Sequence, residues 1–412
     1  MKAIRIGVFG AGRGSAFAEN AQAAGMELVA VCDCNEDRLR HLGEHYGIAT
    51  YADFDRFLEH DMDAIVLANF FHQHAPFAVK ALDAGFHVMS ECAACHTLGE
   101  AAALARAVER NNKIYMLAEN YPYMRFNQEM RRLYQEGTIG KFLYGEGEYV
   151  HPGSARMWLS ISVGKDHWRN WIPATYYCTH SIAPVMYITD TRPVTVNGFI
   201  VPRDLSDDSY AYHVSRNDTA AMIVLRMDNG AVVKSLHGSL RGHGNYVRIH
   251  GNKGQMENCR IVDGDQIRLR IEPFGKDCEK TEEKVYLPDW PGHAAAVEAA
   301  GHGGGDFWTN YHFANAIRTG EQPYLNVYRA IDMSICGILA YKSSLQQGAP
   351  IDIPDFRDEA VRVKYENDNW SPDPERRGPG QPYPSVLGDL TPTPEAVDYA
   401  HEVWAEQGYT GE

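Results

Sequence analysis

The sequence predicts a two-domain α/β chain: an N-terminal doubly wound parallel sheet, the Rossmann arrangement, joined to a C-terminal α+β domain with an open, mostly antiparallel sheet. Short β-rich runs alternate with amphipathic helical ones over residues 1–120, a pattern that builds βαβ units with helices on both faces. From residue 121 the pattern turns strand-like, with turn signals between the runs. Beyond residue 350 prolines crowd the chain.

The first domain reads in order as "IRIGVFG", a helix over Gly14–Ala24, "MELVAVCD", a helix over Glu36–Tyr46, "AIVLA", a helix over His74–Ala84, "HVMS", a helix over Gly99–Asn111 and "KIYML". Short apolar runs bounded by turn residues suit strands buried on both faces. The second domain, 121–350, opens with helical periodicity over Arg125–Glu136 and continues through "KFLYGEGEYV", "PVTVNGFIV", "TAAMIVLRM", "AVVKSLHG", "NYVRIHG" and "QIRLRIE". Asp228–Gly230 ("DNG") and Gly251–Gly254 ("GNKG") are hairpin signals, and helices follow over Asp306–Arg318 and Val327–Gln346. Nine of the 20 prolines fall between Pro350 and Pro394. That density predicts an extended tail over 351–412, wrapping the surface or a partner subunit and closed by a short helix near Pro394–Gln407.

A formal charge of −15 argues against nucleic acid or an anionic membrane as partner, since both select basic patches. "MKAIRIGVFGAG" runs straight into a strand pattern without a secretion signal, and no apolar run reaches the roughly 18 residues of a membrane span, so a cytoplasmic protein is expected. The eight cysteines are scattered and are expected to stay reduced. Cys92 and Cys95 have metal or redox spacing, but no second Cys-x-x-Cys and no nearby His pair completes a site, so two small apolar residues and no metal are expected there.

"IGVFGAGRGS" places Gly10, Gly12 and Gly14 after the first strand and at a helix start, where a tight turn and close backbone approach to a pyrophosphate are needed. Asp33 ends the next strand 23 residues after Gly10, where a carboxylate binds ribose hydroxyls and repels a 2′-phosphate, favouring NAD over NADP. Arg13 contacts the phosphates or simply sits on the first helical turn.

With "HQHAPFAVKALDAGFHV", "SEC", "GTIGKF" and "CTHSIAPVMY", the chain resembles the Gfo/Idh/MocA superfamily over about residues 1–350. Many of its dehydrogenases carry Glu-Lys-Pro where this chain has Glu91-Cys92-Ala93, and their lysine assists removal of the substrate's hydroxyl proton. The branch without that lysine is the NAD-dependent glycoside hydrolases, among them α-N-acetylgalactosaminidases, which have Glu-Val-Pro. Similar to that branch are "MLAEN", whose Asn120 is thereby implied to contact cofactor, Tyr149 in "EGEYVHP", 29 residues on, "YYCTH" and "GHGGGDF". Departures are Cys178 for a proline, Ser181 and Ala183 for glycines, and a loosely matching "WLSISVGKDHWRNWIP".

His180 is the expected proton acceptor, because imidazole titrates near neutrality; the alternative is a core histidine beside Pro184. Tyr177, three residues earlier, shares its face. Tyr149 and His151, two apart on a strand, point to one face, with Tyr149 the candidate base at sugar carbon 2 and His151 at the substrate. His302 lies in a glycine loop that reaches the ligand or merely enters a helix capped by Asp306. Trp168, Arg169 and Thr179 are candidate substrate contacts, the tryptophan stacking on a pyranose and the guanidinium binding hydroxyls or an acidic group. His72 and His74 are expected to flank the cofactor, with Glu91 and Cys92 beside it. Two mechanisms fit: hydrolysis of a glycoside through transient oxidation at carbon 3, or net dehydrogenation of a sugar or inositol. A cofactor-bound regulator is a third class. The expected partners are NAD, a carbohydrate or glycoside, and further copies of the chain in a dimer or tetramer.

Overall fold

A computed structural model describes residues 3–207, 210–260, 264–276, 280–409 and 411. Strands β1 (Ile4–Phe9), β2 (Met26–Cys32), β3 (Ala49–Tyr51), β4 (Ala64–Leu67), β5 (His87–Ser90) and β6 (Tyr115–Leu117) form one sheet in the order β3-β2-β1-β4-β5-β6. Every pairing in it is parallel. The order reverses between β1 and β4, and the carboxyl ends of the strands there open the crevice used by dinucleotides in such folds. Helix Glu36–Tyr46 matches its expected bounds because Asn35 caps it, its side chain accepting from Arg38 N, and Gly47 ends it at φ +64°. β3 follows that stop and escaped the sequence pattern, being only three residues long.

The second sheet contains β7 (Phe142–Val150), β8 (Pro193–Val201), β9 (Ala220–Met227), β10 (Val232–Gly238), β11 (Gly244–Gly251), β12 (Gly254–Asn258), β13 (Ile267–Ile271), β14 (Glu282–Tyr286) and β15 (Ile351–Asp352). Their order is β14-β13-β12-β11-β7-β10-β9-β8-β15, antiparallel throughout except for β7 beside β10. The two expected turns join β9 to β10 and β11 to β12. Helix Thr179–Thr189 is buried along its whole length. It approaches β7 so closely that a Cβ at Gly147 would collide with the Ser181 carbonyl, so glycine there lets the helix start, and His180, settle onto the sheet.

The two domains share one apolar core. Helix Gly305–Thr319 packs on helix Gly14–Ala21, with Asn310 Nδ2 donating to the Phe17 carbonyl at 2.8 Å, and Leu117 N donates to the Leu325 carbonyl at 2.9 Å. The C-terminal segment is more regular than its prolines suggest and lies on its own chain. β15 pairs with β8, helix Glu359–Tyr365 starts at an Asp358 cap in a proline-free stretch, and helix Pro394–Ala405 buries Trp404 against helix Ala155–Ser160. No helix among the described residues is long and apolar enough to cross a membrane.

Candidate active site

A cavity of about 330 Å³ opens between the two domains, with Asn69, Glu91 and Cys92 on the Rossmann side and Tyr149, Tyr177 and His180 on the other. At its centre the chain turns from β6 into the second domain, and Glu119, fully buried, meets His180. His180 Nδ1 lies 2.7 and 2.8 Å from the two Glu119 oxygens. Cys92 Sγ donates to Glu119 Oε2 at 3.1 Å, and the Thr179 hydroxyl bonds the same carboxylate. Burial alone would raise Glu119, but the imidazole and these donors hold it below the usual carboxylate range. An ionised Glu119 fixes the His180 proton on Nδ1 and leaves Nε2 as acceptor. Burial pushes the Cys92 thiol well up, so it stays an S–H donor. Sγ, carboxylate and ring nitrogen all lie within 4.8 Å of one another, but the hydrogen bonds account for all three. Cys95 is a separate buried thiol, also pushed up by burial.

Three tyrosines ring His180. Tyr121 stacks on it at 4.6 Å between centroids, and Tyr149 and Tyr177 meet it edge-on at 4.7 and 4.9 Å. Burial, then the neighbouring phenols, pushes Tyr149 up, while the Arg169 charge pulls it back. Tyr177 is also raised by burial, with Arg169 again opposing. His151 sits beside Tyr149 at 5.9 Å, as the strand period requires. Trp168 is buried and stacks on Phe71 at 5.0 Å, with the Arg169 guanidinium over its ring at 4.3 Å from the centroid. Thr179 is buried and reaches Glu119 rather than lining the cavity.

On the cofactor side, Gly10 has φ +100° and a Cβ there would collide with the Ala68 carbonyl, so only glycine serves this turn. Gly12 is exposed beneath Arg38, and Gly14 is buried against Val8. Asp33 accepts from Ala11 N at 2.6 Å and Asn35 N at 2.8 Å, at the end of β2. Asn69 lines the cavity with both side-chain polar atoms buried and unpartnered, and Asn120 Oδ1 is likewise unpartnered. Glycine turn, strand-end acid and waiting carboxamides fit a dinucleotide, held by Gly10–Gly14, Asp33, Asn69 and Asn120.

Arg13, at the glycine turn and in the cavity lining, is held by two carboxylates. Its Nε donates to Glu91 Oε1 at 2.6 Å, and Nη2 and Nη1 donate to Asp306 at 2.7 and 3.2 Å. Asp306 also receives Asn120 Nδ2 at 3.0 Å and pairs with His302 Nδ1 at 2.8 Å. It is therefore no helix cap; Gly304 occupies that position, and the carboxylate bridges the domains. Glu91 spends its other oxygen on Cys92 N at 2.9 Å. His74 is buried with its nitrogens at the Ala93 and Asn69 carbonyls, bracing the cavity floor. His72 is absent from the lining and packs against His96 and Trp171. Sequence reasoning missed Glu119, Tyr121 and Asn69; the only signal for Glu119 was an acid ending an apolar strand beside Asn120.

Comparison with known proteins agrees with this geometry. A family model described as an oxidoreductase family with NAD-binding Rossmann fold matches residues 4–119, and the Gfo/Idh/MocA C-terminal domain matches 127–257. The C-terminal domain of glycosyl hydrolase 109 matches 219–362. A glycosyl hydrolase family 109 protein of Saccharopolyspora erythraea is 25% identical over 388 residues, covering 86% of this chain and 83% of that one. An alpha-N-acetylgalactosaminidase of Shewanella oneidensis is 24% identical over 393 residues, covering 86% and 85%. Levoglucosan dehydrogenase in complex with NADH and L-sorbose shares the fold with a TM-score of 0.71 at 19% identity, covering 86% of this chain and 100% of that one. The crevice of the parallel sheet is thus an NAD site, and the chain belongs to the Gfo/Idh/MocA superfamily, with a C-terminal domain like that of its glycosyl hydrolase 109 branch.

Proposed function

We propose that the protein is a glycoside hydrolase working with tightly held NAD, which when bound supplies a reversible hydride acceptor for sugar carbon 3. The observation that carries this is the buried Glu119–His180 pair inside a ring of three tyrosines at the interdomain cavity. His180 Nε2 takes the proton of the carbon 3 hydroxyl, and Glu119 stabilises the resulting imidazolium. Tyr149 is assigned to the carbon 2 proton, which is acidic only beside a carbonyl; burial raises its phenol, and the Arg169 charge offsets only part of that rise. Tyr177 relays protons between the hydroxyl and His180. The aglycone then leaves by elimination, water adds to the enone, and His180 returns its proton. No carboxylate pair in acid and nucleophile roles is required.

Hydrolysis is preferred to net oxidation for two reasons. The C-terminal domain resembles that of glycosyl hydrolase 109, and a thiol held neutral stands where superfamily dehydrogenases carry their lysine. No lysine lines the cavity among the described residues. Turnover in deuterated water tests the proposal: product should carry deuterium at carbon 2, with no stoichiometric NAD consumed. Unlabelled product from an active enzyme removes the elimination route. Steady NADH release with the glycosidic bond intact makes the protein a sugar dehydrogenase instead.

A further inference from the structure

The cavity lining also contains a cluster around Arg203 that the chemistry above does not use. Arg203 leaves β8 in the connection 202–219 and is only 5% exposed, yet it lines the cavity. Its Nε donates to the Asn217 carbonyl at 2.9 Å and Nη2 reaches Asn217 Oδ1 at 3.5 Å, while Nη1 is buried with no hydrogen-bond partner among the described residues. Among the described residues no carboxylate lies within ion-pair distance of Arg203 or of Arg169. Asp218 also lines the cavity and feels the Arg203 charge, but its oxygens bond Ser385 Oγ at 2.7 Å and Val386 N at 3.0 Å rather than the guanidinium. Asn217 ties the two arginines together, because its Nδ2 donates to the Arg169 carbonyl at 3.3 Å.

A buried guanidinium without a counter-charge is costly, and such groups are normally paired. Arg203 has no direct ion pair among the described residues, and the Asp218 charge that acts on it belongs to a carboxylate whose oxygens bond elsewhere. His213 also lines the cavity, and burial followed by the Arg203 charge pushes it down to about 4, so at neutral pH it offers hydrogen bonds without charge. Arg169 and Arg203 line the same cavity as Tyr149, Tyr177 and His180, so one ligand can reach both groups.

We infer that this cluster seats a carboxylate carried by the ligand, through Arg203 and Arg169, and that the substrates are acidic glycosides. The planar guanidinium fork matches a carboxylate and cannot lose its charge. The inference rests on the glycoside assignment above, and the carboxylate belongs either to the sugar, as in a uronate, or to the aglycone.

Two matched sets separate these sources with the full-length, NAD-loaded protein. One compares 4-nitrophenyl glucuronides and galacturonides with the corresponding glucosides and galactosides. The other compares 4-carboxyphenyl with phenyl hexosides. The acidic member of at least one set should have a kcat/KM about tenfold higher, as a charged hydrogen bond provides, and Arg203→Gln should reduce that preference to about threefold or less. Equal kcat/KM within both sets, or an acid preference that survives the variant, overturns the inference. If Arg203→Gln does not fold, Arg169→Gln, which is only half-buried, serves with the same expected loss. If nothing is hydrolysed, tryptophan fluorescence titrations of free glucuronate and galacturonate against glucose and galactose decide. Acids binding about tenfold tighter keep the anion seat while the glycosidase assignment falls, and equal affinities remove the seat.

Discussion

The site contains two buried carboxylate–histidine pairs, Glu119 with His180 and Asp306 with His302, and they are built for different work. Asp306 is 1% exposed and already faces the Arg13 guanidinium, while its histidine is 46% exposed. Glu119 is 0% exposed, and among the described residues its one charged partner is His180, itself 10% exposed. Asp306 divides its oxygens among the Arg13 guanidinium, Asn120 and His302. Glu119 has His180 as its one charge-capable partner among the described residues, and that imidazole faces the tyrosine ring of the cavity. The contrast fits the proposed proton acceptance at His180 and leaves Asp306 to fasten the glycine turn to the second domain.

The largest expected effect is at the first pair. His180→Ala should lower kcat by about 10³-fold while the NAD released on denaturation stays near one per chain, since the imidazole's role is a general base's; turnover within threefold of the parent would move the base elsewhere. Glu119→Gln keeps an acceptor for Nδ1–H but removes the charge, and should cost about 10²-fold in kcat with a flattened acid limb of the pH profile.

Stability sharpens the same contrast. Both carboxylates titrate below the usual range in the folded state, so each contributes stability that is present above the unfolded pKa of about 4 and lost as pH falls towards the folded value. Denaturant titrations should therefore show Glu119→Gln about 1–3 kcal/mol less stable than the parent at pH 7, with the gap closing below about pH 4. A constant gap would mean the charge contributes nothing.

At the second pair, Asp306→Asn should weaken NAD retention about tenfold in equilibrium dialysis, with kcat at saturating NAD changed far less than in Glu119→Gln. His302→Ala should be the mildest, about threefold in kcat/KM, because an exposed imidazole holds its geometry weakly. A loss at His302 as large as at His180 would erase the distinction between the pairs.

Much of the fold was legible because its punctuation is local. Asn35 and Gly47 bracket one helix, and Asp228-Asn229-Gly230 turns one hairpin. β12 and β14 were missed because "GQMEN" and "EEKVY" have little strand character of their own, and neighbours in the sheet supply the pairing. In the site, His180, Tyr149 and Tyr177 were readable since helix and strand periods put them together. Glu119 was not, as its importance comes from burial under a helix 60 residues downstream. Arg13 stayed open between two readings for a similar reason: its partner Asp306 is 293 residues away. Arg203 was invisible because only the folded cavity shows that its Nη1 is buried there without a hydrogen-bond partner among the described residues.

The grip of Ser385 and Val386 on Asp218 has a consequence for building chimaeras. The wall that holds Arg203 and the far C-terminal segment form a single exchangeable unit, although more than 160 residues separate them along the chain. Grafting the 202–219 connection into a relative without its matching terminus would leave Asp218, already raised by burial, without its Ser385 and Val386 donors. The freed carboxylate would stand within the field of the Arg203 charge and compete with a ligand anion for it, so ligand preference and the C-terminal extension should be transplanted, and inherited, together.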